Sequence, residues 1–409
     1  MIKNNEPYKI IVCGNAHSGK SIFINYLYRI LPQKYTSLIR ACPDGEGVWN
    51  SNQNNEQIQM VRKKGHFSEG IVKEIINDIE KETAPIVLID TGGIRSIENK
   101  TIFTHADAFI VVSRDEVEEW ETFGQELGLR KLAILNSEMN GKDKIEDSSQ
   151  DYISGTITGL NRGNNVNESK ILQQVAQMIL KLVKHKDIEM KGKICAEDKE
   201  TLNMQEAARA LRMENINGNI KWIEEKGSLI YYYLKGFTQV RDRLKVFEAR
   251  ANWITGMVCE AAKENGIHDI ELYDTGSNKY LKVKQLPQTM DEWKQLGHIQ
   301  GYNILNEELQ AYATENQDSI LIHFEITNMH KLQLGILDRI TLPKLDVNKK
   351  LYISGRLPMW LFASISLSYQ NKEKSVFQPG NGFITYSSIT DSNFGKKEQE
   401  IGIDISRFF

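Results

Sequence analysis

The sequence predicts an α/β protein with a doubly wound domain at the N-terminus and two small α/β modules, of ferredoxin-like type, after it. Three observations predict this fold. A strand-like run near residue 10 leads into a glycine-rich loop and a helix, apolar runs then alternate with helical stretches, and one order of elements occurs twice in the C-terminal half. We expect three domains, at residues 1–195, 200–315 and 316–409.

Composition limits the classes of function. The 409 residues are 40% apolar and 26% charged, with a net charge of −3. The net charge shows no basic excess of the kind that would indicate a duplex nucleic acid partner. The N-terminal residues show no apolar run of the kind that would indicate a signal peptide or a membrane span. The four cysteines lack paired metal spacing and are expected to be reduced thiols of a cytoplasmic protein: Cys13, Cys42, Cys195 and Cys259.

The first motif is Gly14-x-x-x-x-Gly19-Lys20-Ser21, which follows the apolar run "YKIIVC" and precedes the helical run "IFINYLYRIL". A strand, this loop and a helix together form a P-loop, whose amides, including that of Ser18, surround phosphates at the helix N-terminus. Lys20 is expected to contact the β- and γ-phosphates, and the Ser21 hydroxyl to bind Mg²⁺. A chance match is the alternative.

A second acidic element supports this interpretation. "APIVLIDTGGI" is an apolar strand that ends at Asp90, a candidate for the Mg²⁺ shell, and Gly93 lies three residues on, as in loops that sense a γ-phosphate. Further strands are predicted at 109–113 and 131–136, with helices between them. No Asn-Lys-x-Asp guanine motif is present, which favours ATP over GTP, with Mg²⁺ as the expected metal and Mn²⁺ as the alternative.

"IRACPDGEGVWN" lies between these two motifs, where a loop for a second substrate or for water activation is expected. Arg40, Asp44 and Glu46 are its candidate residues, the two carboxylates as catalytic groups. A solvated acidic turn explains the same residues equally well.

The middle of the chain is predicted from composition. Residues 140–170 are polar and rich in Gly, Asn and Ser, which predicts loops, and a helix is expected at about 168–186. The charged run "HKDIEMKGKICAEDKET" predicts a linker near residue 195.

A weak internal repeat follows. Residues 227–237 and 318–328 are predicted as opening strands; 244–266 and 351–373 each contain a strand, an arginine, a tryptophan and a helix; 270–283 and 375–386 are predicted hairpins. Helices at about 289–314 are expected to connect the two copies.

The stretch "GRLPMW" combines three features of an anion site. Gly355 and Arg356 precede Pro358, which suits a first helical turn, and the free amides of that turn lie beside the arginine. In the other copy Arg250 precedes Asn252, a predicted N-cap, and a tryptophan. The alternative is that the arginines are ordinary strand-end charges and that Trp253 and Trp360 are core residues, which for the tryptophans is the better interpretation.

"SILIHFEI" followed by "LYISGRLPMWL" resembles the CRISPR-associated ring nucleases of the Csx-three type over about the last ninety residues. "RACPDGEGVW" and "IDTGGI" resemble the P-loop, AAA-like ATPase domain that is fused to some members. The resemblance implies binding of the cyclic tetra-adenylate made by type III CRISPR complexes, and cleavage of it with a divalent metal.

The chain departs from the family at the residues that carry cleavage there, a histidine after the helix and an Asp-Pro-Arg turn. Asn371 and the turn Gln378-Pro379-Gly380 occupy the corresponding places, and neither supplies a general base or a carboxylate. His323 and His330 are the only histidines of the tail. His268 and Asp274 in the middle copy leave open a cleavage site there, for example across a subunit boundary.

The leading hypothesis is an ATPase that responds to cyclic oligoadenylate, bound by the tandem modules through Arg250, Gly355, Arg356, Pro358, His268 and Asp274. A true ring nuclease, a P-loop kinase that uses Asp44 or Glu46, and a protein that only sequesters the ring are the alternatives. A homo-oligomer is expected. Ring size and the downstream effect of the ATPase stay open.

Overall fold

The computed structural model describes residues 7–41, 69–148, 152–161, 169–216, 219–249, 251–289, 294–296, 299–305, 308–327, 332, 334–388, 390, 393–401 and 403. The chain divides into two compact units, residues 1–184 and 185–409.

The described residues form nine α-helices: α1 (Lys20–Ile30), α2 (Glu69–Lys81), α3 (Ile97–Phe103), α4 (Val117–Glu126), α5 (Lys170–Asp198), α6 (Met204–Ala210), α7 (Gly227–Thr238), α8 (Asn252–Glu264) and α9 (Met359–Ser368).

The strands of the first unit are β1 (Tyr8–Cys13), β2 (Thr36–Ala41), β3 (Ile86–Thr91), β4 (Ala108–Ser113), β5 (Arg130–Glu138), β6 (Lys144–Ser148) and β7 (Ile153–Thr158). Those of the second unit are β8 (Thr201–Asn203), β9 (Glu214–Ile216), β10 (Asn219–Lys221), β11 (Arg243–Phe247), β12 (Asp269–Asp274), β13 (Lys279–Val283), β14 (Gln288–Thr289), β15 (Lys294–Leu296), β16 (Ile299–Ile304), β17 (Leu309–Glu315), β18 (Ser319–Ile326), β19 (Leu342–Pro343), β20 (Lys350–Ser354), β21 (Lys374–Gln378), β22 (Gly382–Ser387) and β23 (Lys397–Glu398).

The first unit is built on a seven-stranded sheet of order β2-β3-β1-β4-β5-β7-β6, parallel except at the β6 edge. Strands β1, β3 and β4 are almost entirely buried because helices cover both faces. Residues of α1 and α5 form the core on one face, and residues of α2, α3 and α4 form the core on the other. The predicted doubly wound domain is therefore confirmed as a mixed α/β unit with a parallel sheet.

The strand order places the two predicted motifs side by side. Strand β1 pairs directly with β3, from Tyr8 opposite Ile86 to Val12 opposite Asp90. The strand that leads into the glycine-rich loop and the strand that carries the acidic residue are therefore neighbours.

Two predictions for the middle of the chain are wrong. Residues 140–170 contain β6 and β7, and β7 extends the parallel sheet beside β5. The alternating burial of β7 is typical of a strand that its polar composition concealed. Helix α5 continues to Asp198, so the charged run near residue 195 is helical and not a linker.

The second unit contains a four-stranded sheet of order β13-β12-β11-β8 and an eight-stranded sheet of order β15-β16-β17-β18-β20-β21-β22-β23. The predicted succession of strand, helix and hairpin is confirmed in both copies, as β11-α8-β12-β13 and β20-α9-β21-β22. Strands β8, β11 and β12 are parallel, as are β18, β20 and β21. Neither sheet has the β-α-β-β-α-β order of a ferredoxin-like module, so that part of the fold prediction is not confirmed.

Two further segments differ from the prediction. Residues 227–237, predicted as a strand, lie in α7, where Ile230, Leu234 and Phe237 are buried at helical spacing. The segment at about 289–314, predicted as connecting helices, contains in its described part the strands β15, β16 and β17 of the eight-stranded sheet. Leu309, Ala311 and Ala313 are buried at the spacing of a strand.

Helices α8 and α9 pack against each other, and each contacts the hairpin of the other copy. Tyr386 of β22 fills the space beside Gly256 of α8, and its hydroxyl accepts a hydrogen bond from Ser366 of α9 at 3.0 Å. The side chain of Lys374, fully buried, forms an ion pair with Glu260 of α8 at 2.5 Å. The two copies therefore share one core.

None of the helices in the described part of the chain is both long enough and apolar enough to span a membrane. The thiols of Cys13, Cys195 and Cys259 are free. Burial raises the pKa of the Cys13 thiol to about 12, so this thiol stays protonated near neutral pH. Cys42 lies outside the described residues.

Candidate functional site

The P-loop connects β1 to α1. Gly14 and Gly19 at its two ends have positive φ, a conformation that favours glycine, and α1 begins at Lys20 without a side-chain cap. The first amides of α1 are thus available to an anion at the helix N-terminus. The predicted phosphate-binding residues Gly14, Ser18, Gly19, Lys20 and Ser21 therefore lie together.

Lys20 is held in place by a hydrogen bond within the P-loop. Its side chain is buried, and the Nζ donates a hydrogen bond of 2.6 Å to the carbonyl oxygen of Asn15 within the same loop. The ammonium group therefore lies over the loop where phosphates are expected.

Asp90 lies next to the start of α1. The Ser21 hydroxyl donates a hydrogen bond to the Asp90 carboxylate, which also forms an ion pair of 3.3 Å with Arg40. Burial raises the pKa of the Asp90 carboxyl, and the hydrogen bond and nearby cations oppose that shift. A hydroxyl and a carboxylate beside a phosphate site are oxygen ligands of the kind that Mg²⁺ uses, so Ser21 and Asp90 fit this metal.

Gly93 brings the loop after β3 against the P-loop. A Cβ atom on Gly93 would lie 2.4 Å from the amide nitrogen of Ala16, so only glycine allows this approach. A phosphate bound by the P-loop would therefore lie beside the segment that begins at Gly93, as predicted for a γ-phosphate sensor.

Residues that the sequence did not indicate brace the P-loop from β4 and α4. Trp120 Nε1 donates a hydrogen bond of 2.7 Å to the Asn15 side-chain oxygen, and Ser113 accepts one of 3.0 Å from the Asn15 amide. The Ser18 hydroxyl accepts a hydrogen bond of 3.2 Å from the amide of Arg114. Partners about a hundred positions away leave no local signal, and Trp120 shows in the sequence only as an apolar residue of an amphipathic helix.

Arg40 is placed in the site by β2. Besides its ion pair with Asp90, its guanidinium donates a hydrogen bond of 3.0 Å to Asn25 of α1. Asp44 and Glu46, the predicted catalytic carboxylates, lie outside the described residues.

The second corner lies between β20 and α9. Gly355 has φ +124°, and a Cβ there would lie 2.2 Å from the carbonyl oxygen of Phe324 in β18, so the chain turns tightly against its neighbouring strand. Arg356 is exposed, and its side chain makes no ion pair or hydrogen bond within the described part of the chain. Pro358 directly precedes the first helical residue, Met359, and no side chain caps the helix.

The corresponding corner of the middle copy is only partly described. Arg250 lies outside the described residues. Asn252 is the first residue of α8 and not its N-cap, since the capping position is Ala251 and no side chain caps the helix. Trp253 and Trp360 are both buried in the shared core, as the packing interpretation predicts.

The places matched to the family's cleavage residues are far apart. Asn371 is buried beyond the C-terminus of α9, where its Nδ2 donates to the carbonyl oxygens of Asp346 and Lys349 at 2.8 Å. Gln378 ends β21 and leads into the turn with Pro379 and Gly380. Because parallel β21 begins near Asn371 and ends at Gln378, the two lie at opposite edges of the sheet.

His268 directly precedes β12, and Asp274 is the last residue of that strand. Six residues of extended chain separate them by roughly 20 Å, so one chain does not bring them into one site. Asp274 accepts a hydrogen bond of 2.8 Å from the amide of Ser277 and thereby closes the hairpin turn.

His323 of β18 lies opposite Ser354 of β20 and forms a 2.7 Å hydrogen bond with it through Nδ1. Burial lowers the pKa of this imidazole. His330 lies outside the described residues. Among the residues that the structure describes, no three His, Cys, Asp or Glu side chains are grouped so that they could hold a metal ion.

Comparison with known proteins gives a family match in this second unit. The family described as CRISPR-associated protein (Cas_csx3) matches residues 325–395, which include the Gly355-Arg356 corner and α9. No curated protein matches the chain.

Two solved structures are similar to parts of the chain. A plasmid partition protein from Borrelia burgdorferi B31 bound to AMPPNP shares 12% identity, with 44% of this chain and 100% of that chain covered at a TM-score of 0.31. The signal recognition particle 54 kDa protein from Aeropyrum pernix K1 in complex with GDP shares 14% identity, covering 64% and 74%, at a TM-score of 0.24. The assignment of the first unit rests on the P-loop sequence and the contacts around it.

Proposed function

We propose that the protein is a type III CRISPR accessory protein that binds a cyclic oligoadenylate through its second unit and binds and hydrolyses ATP, with Mg²⁺, through its first. The family match over residues 325–395 supports the CRISPR assignment. Two observations support the ATP site: Lys20 lies over the P-loop through its hydrogen bond to Asn15, and Ser21 is hydrogen-bonded to Asp90.

One observation carries the ring-binding part: α8 and α9 direct their N-termini to the same edge of the second unit. Helix α8 connects the neighbouring parallel strands β11 and β12, so it runs antiparallel to both strands. Its N-terminus therefore lies at the edge where β11 and β12 end.

The contacts of α9 with the four-stranded sheet give the same direction. Ser364 and then Ser368 accept hydrogen bonds from the amides of Lys284 and Leu286, which follow β13 out of that sheet. The C-terminus of α9 thus lies at the edge that β13 leaves, and its N-terminus lies at the edge where β11 and β12 end. Parallel sheets bind ligands at this edge.

Two uncapped helix N-termini, each beside an arginine of the sequence, suit an anion with two-fold symmetry. The exposed Arg356 and Gly355 would contact one phosphate, and Arg250 would contact its symmetry mate. A ring of several phosphates would be held mainly by charge, and its binding would weaken as salt rises.

Binding without rapid cleavage is the outcome that this chain supports. Asn371 is committed to two backbone carbonyls, and Gln378 lies at the opposite edge of the sheet, so these two do not form a general base with a metal ligand. The separation of His268 from Asp274 disfavours a cleavage site within one chain. We propose a homo-oligomer as the assembled form.

The test is to incubate the protein with labelled cyclic tetra-adenylate, with and without ATP and with Mg²⁺ or Mn²⁺. We expect retained ring, with ADP as the only product. Rapid formation of linear oligoadenylate would overturn the binding role in favour of a ring nuclease, and a phosphorylated product would identify a kinase. Failure to retain the ring would overturn the ring-binding part.

A further inference from the structure

The segment after Gly93 contains a cation next to the P-loop that the ATP site described above does not use. Gly93 touches Ala16, and Arg95 follows two residues later, so its backbone lies no more than about 7 Å from Gly93. Ile94 lies between them with 68% of its surface exposed, and its apolar side chain cannot orient a water molecule.

Arg95 is held to one side of the P-loop by two contacts. Its guanidinium forms an ion pair of 2.8 Å with Glu116, and it lies over the ring of Trp120 at 5.3 Å from the centroid. Trp120 in turn donates its indole hydrogen bond to Asn15. Arg95 is therefore one side chain away from the phosphate-binding loop.

The ion pair between Arg95 and Glu116 is weak enough for Arg95 to exchange Glu116 for another anion. The side chain of Arg95 is 29% exposed and that of Glu116 is 50% exposed, and solvent weakens such pairs. A γ-phosphate carries more charge and accepts two parallel hydrogen bonds from a guanidinium. Arg40 differs, because Asp90 and Asn25 both bind it.

We propose that Arg95 leaves Glu116 to contact the γ-phosphate when a nucleoside triphosphate binds, and that Trp120 positions it for this exchange. This inference rests on the proposed function of the P-loop. In hydrolysis, an attacking water forms the new P–O bond, the bond from the γ-phosphorus to the bridging oxygen breaks, ADP leaves, and the proton of the water passes to phosphate or solvent. Arg95 neutralises negative charge on the phosphoryl group during this transfer.

The kinetic test is Arg95→Ala in the full chain, with Arg29→Ala as the matched control. Arg29 makes the same type of contact, with the Tyr26 ring at 5.5 Å, but at the far end of α1 from the P-loop. We expect Arg95→Ala to lower kcat by about 100-fold and to weaken AMPPNP binding, with the Kd for ADP unchanged. The control is expected to match the wild type in all three.

A spectroscopic measurement follows the contact between Arg95 and Trp120 itself. AMPPNP should change the emission of Trp120 and ADP should change it much less, and the AMPPNP response should be absent in Trp120→Phe and reduced in Arg95→Ala. Equal kcat in wild type and Arg95→Ala, or equal responses to AMPPNP and ADP, would overturn the inference while leaving the P-loop assignment intact. A wild-type protein that binds neither nucleotide would overturn both.

Discussion

The molecule contains two corners of the same design, and they differ in how firmly they are braced. In each, a parallel strand ends at a glycine with positive φ and an uncapped helix begins a few residues later: β1 to α1 at the P-loop, and β20 to α9 at Gly355. The P-loop, called the braced corner below, is tied by hydrogen bonds to Trp120 and Ser113. The second corner, called the open corner below, presents the exposed Arg356, which makes no side-chain hydrogen bond to any residue that the structure describes.

This difference indicates two uses of one anion-binding geometry. A braced loop keeps its dipoles fixed, which favours catalysis at a charge that develops during reaction. An open corner with a free guanidinium suits a ligand that is bound and released, and it leaves the arrangement of the corner sensitive to that ligand. What fixes the second corner lies behind it, in the core that the two copies share.

The largest effect is expected from the buried ion pair in that core. Lys374→Met would leave Glu260 with a buried and unpaired charge, which costs about 3–5 kcal/mol of unfolding free energy. Urea unfolding measures it, with the exposed Lys372→Met as control. If both variants unfold like the wild type, the two copies are not held together by this pair.

Removal of the P-loop lysine comes next. Lys20→Ala should abolish ATP hydrolysis, because one contact to the developing charge is worth about 2–4 kcal/mol, while the fold stays intact. ATPase assays and circular dichroism measure these two properties, and Lys34→Ala, on the surface after α1, is the control. Normal hydrolysis by a folded Lys20→Ala protein would rule out the braced corner as the catalytic site.

Asp90 gives a smaller effect on stability. Its raised pKa means that the folded state holds the proton more tightly than the unfolded state, so its contribution to stability decreases as pH rises from the ordinary Asp range through the folded pKa. Asp90→Asn should therefore be at least as stable as wild type at pH 7, with this gain vanishing in acid, while hydrolysis is lost through the metal. The opposite result would contradict this: an Asp90→Asn variant whose stability relative to the wild type is lower at pH 7 than in acid.

The braced corner could be predicted from the sequence because its signal is local, a strand, a glycine-rich loop and a helix within about twenty residues. Residues 227–237 were mispredicted because a short run of Tyr, Leu and Ile is compatible with a strand or with a buried helix. Where helices were predicted at about 289–314, strands form because β17 pairs with β18, β16 with β17 and β15 with β16. The polar and helix-favouring composition of this segment did not indicate that pairing. The bracing by Trp120 and the pairing of Lys374 with Glu260 join positions more than a hundred residues apart. No pattern in a single sequence reports such contacts.

We propose, as the central claim, that ring binding at the open corner changes ATP hydrolysis at the braced corner, and a ring titration tests this most directly. Cyclic tetra-adenylate and cyclic hexa-adenylate are titrated against the ATPase rate of wild type and Arg356→Ala. A coupling of about 1–3 kcal/mol predicts a five- to 150-fold change in rate or ATP affinity for one of the rings. Arg356→Ala is expected to lose this response and keep the basal rate. A flat wild-type response to both rings would contradict the claim.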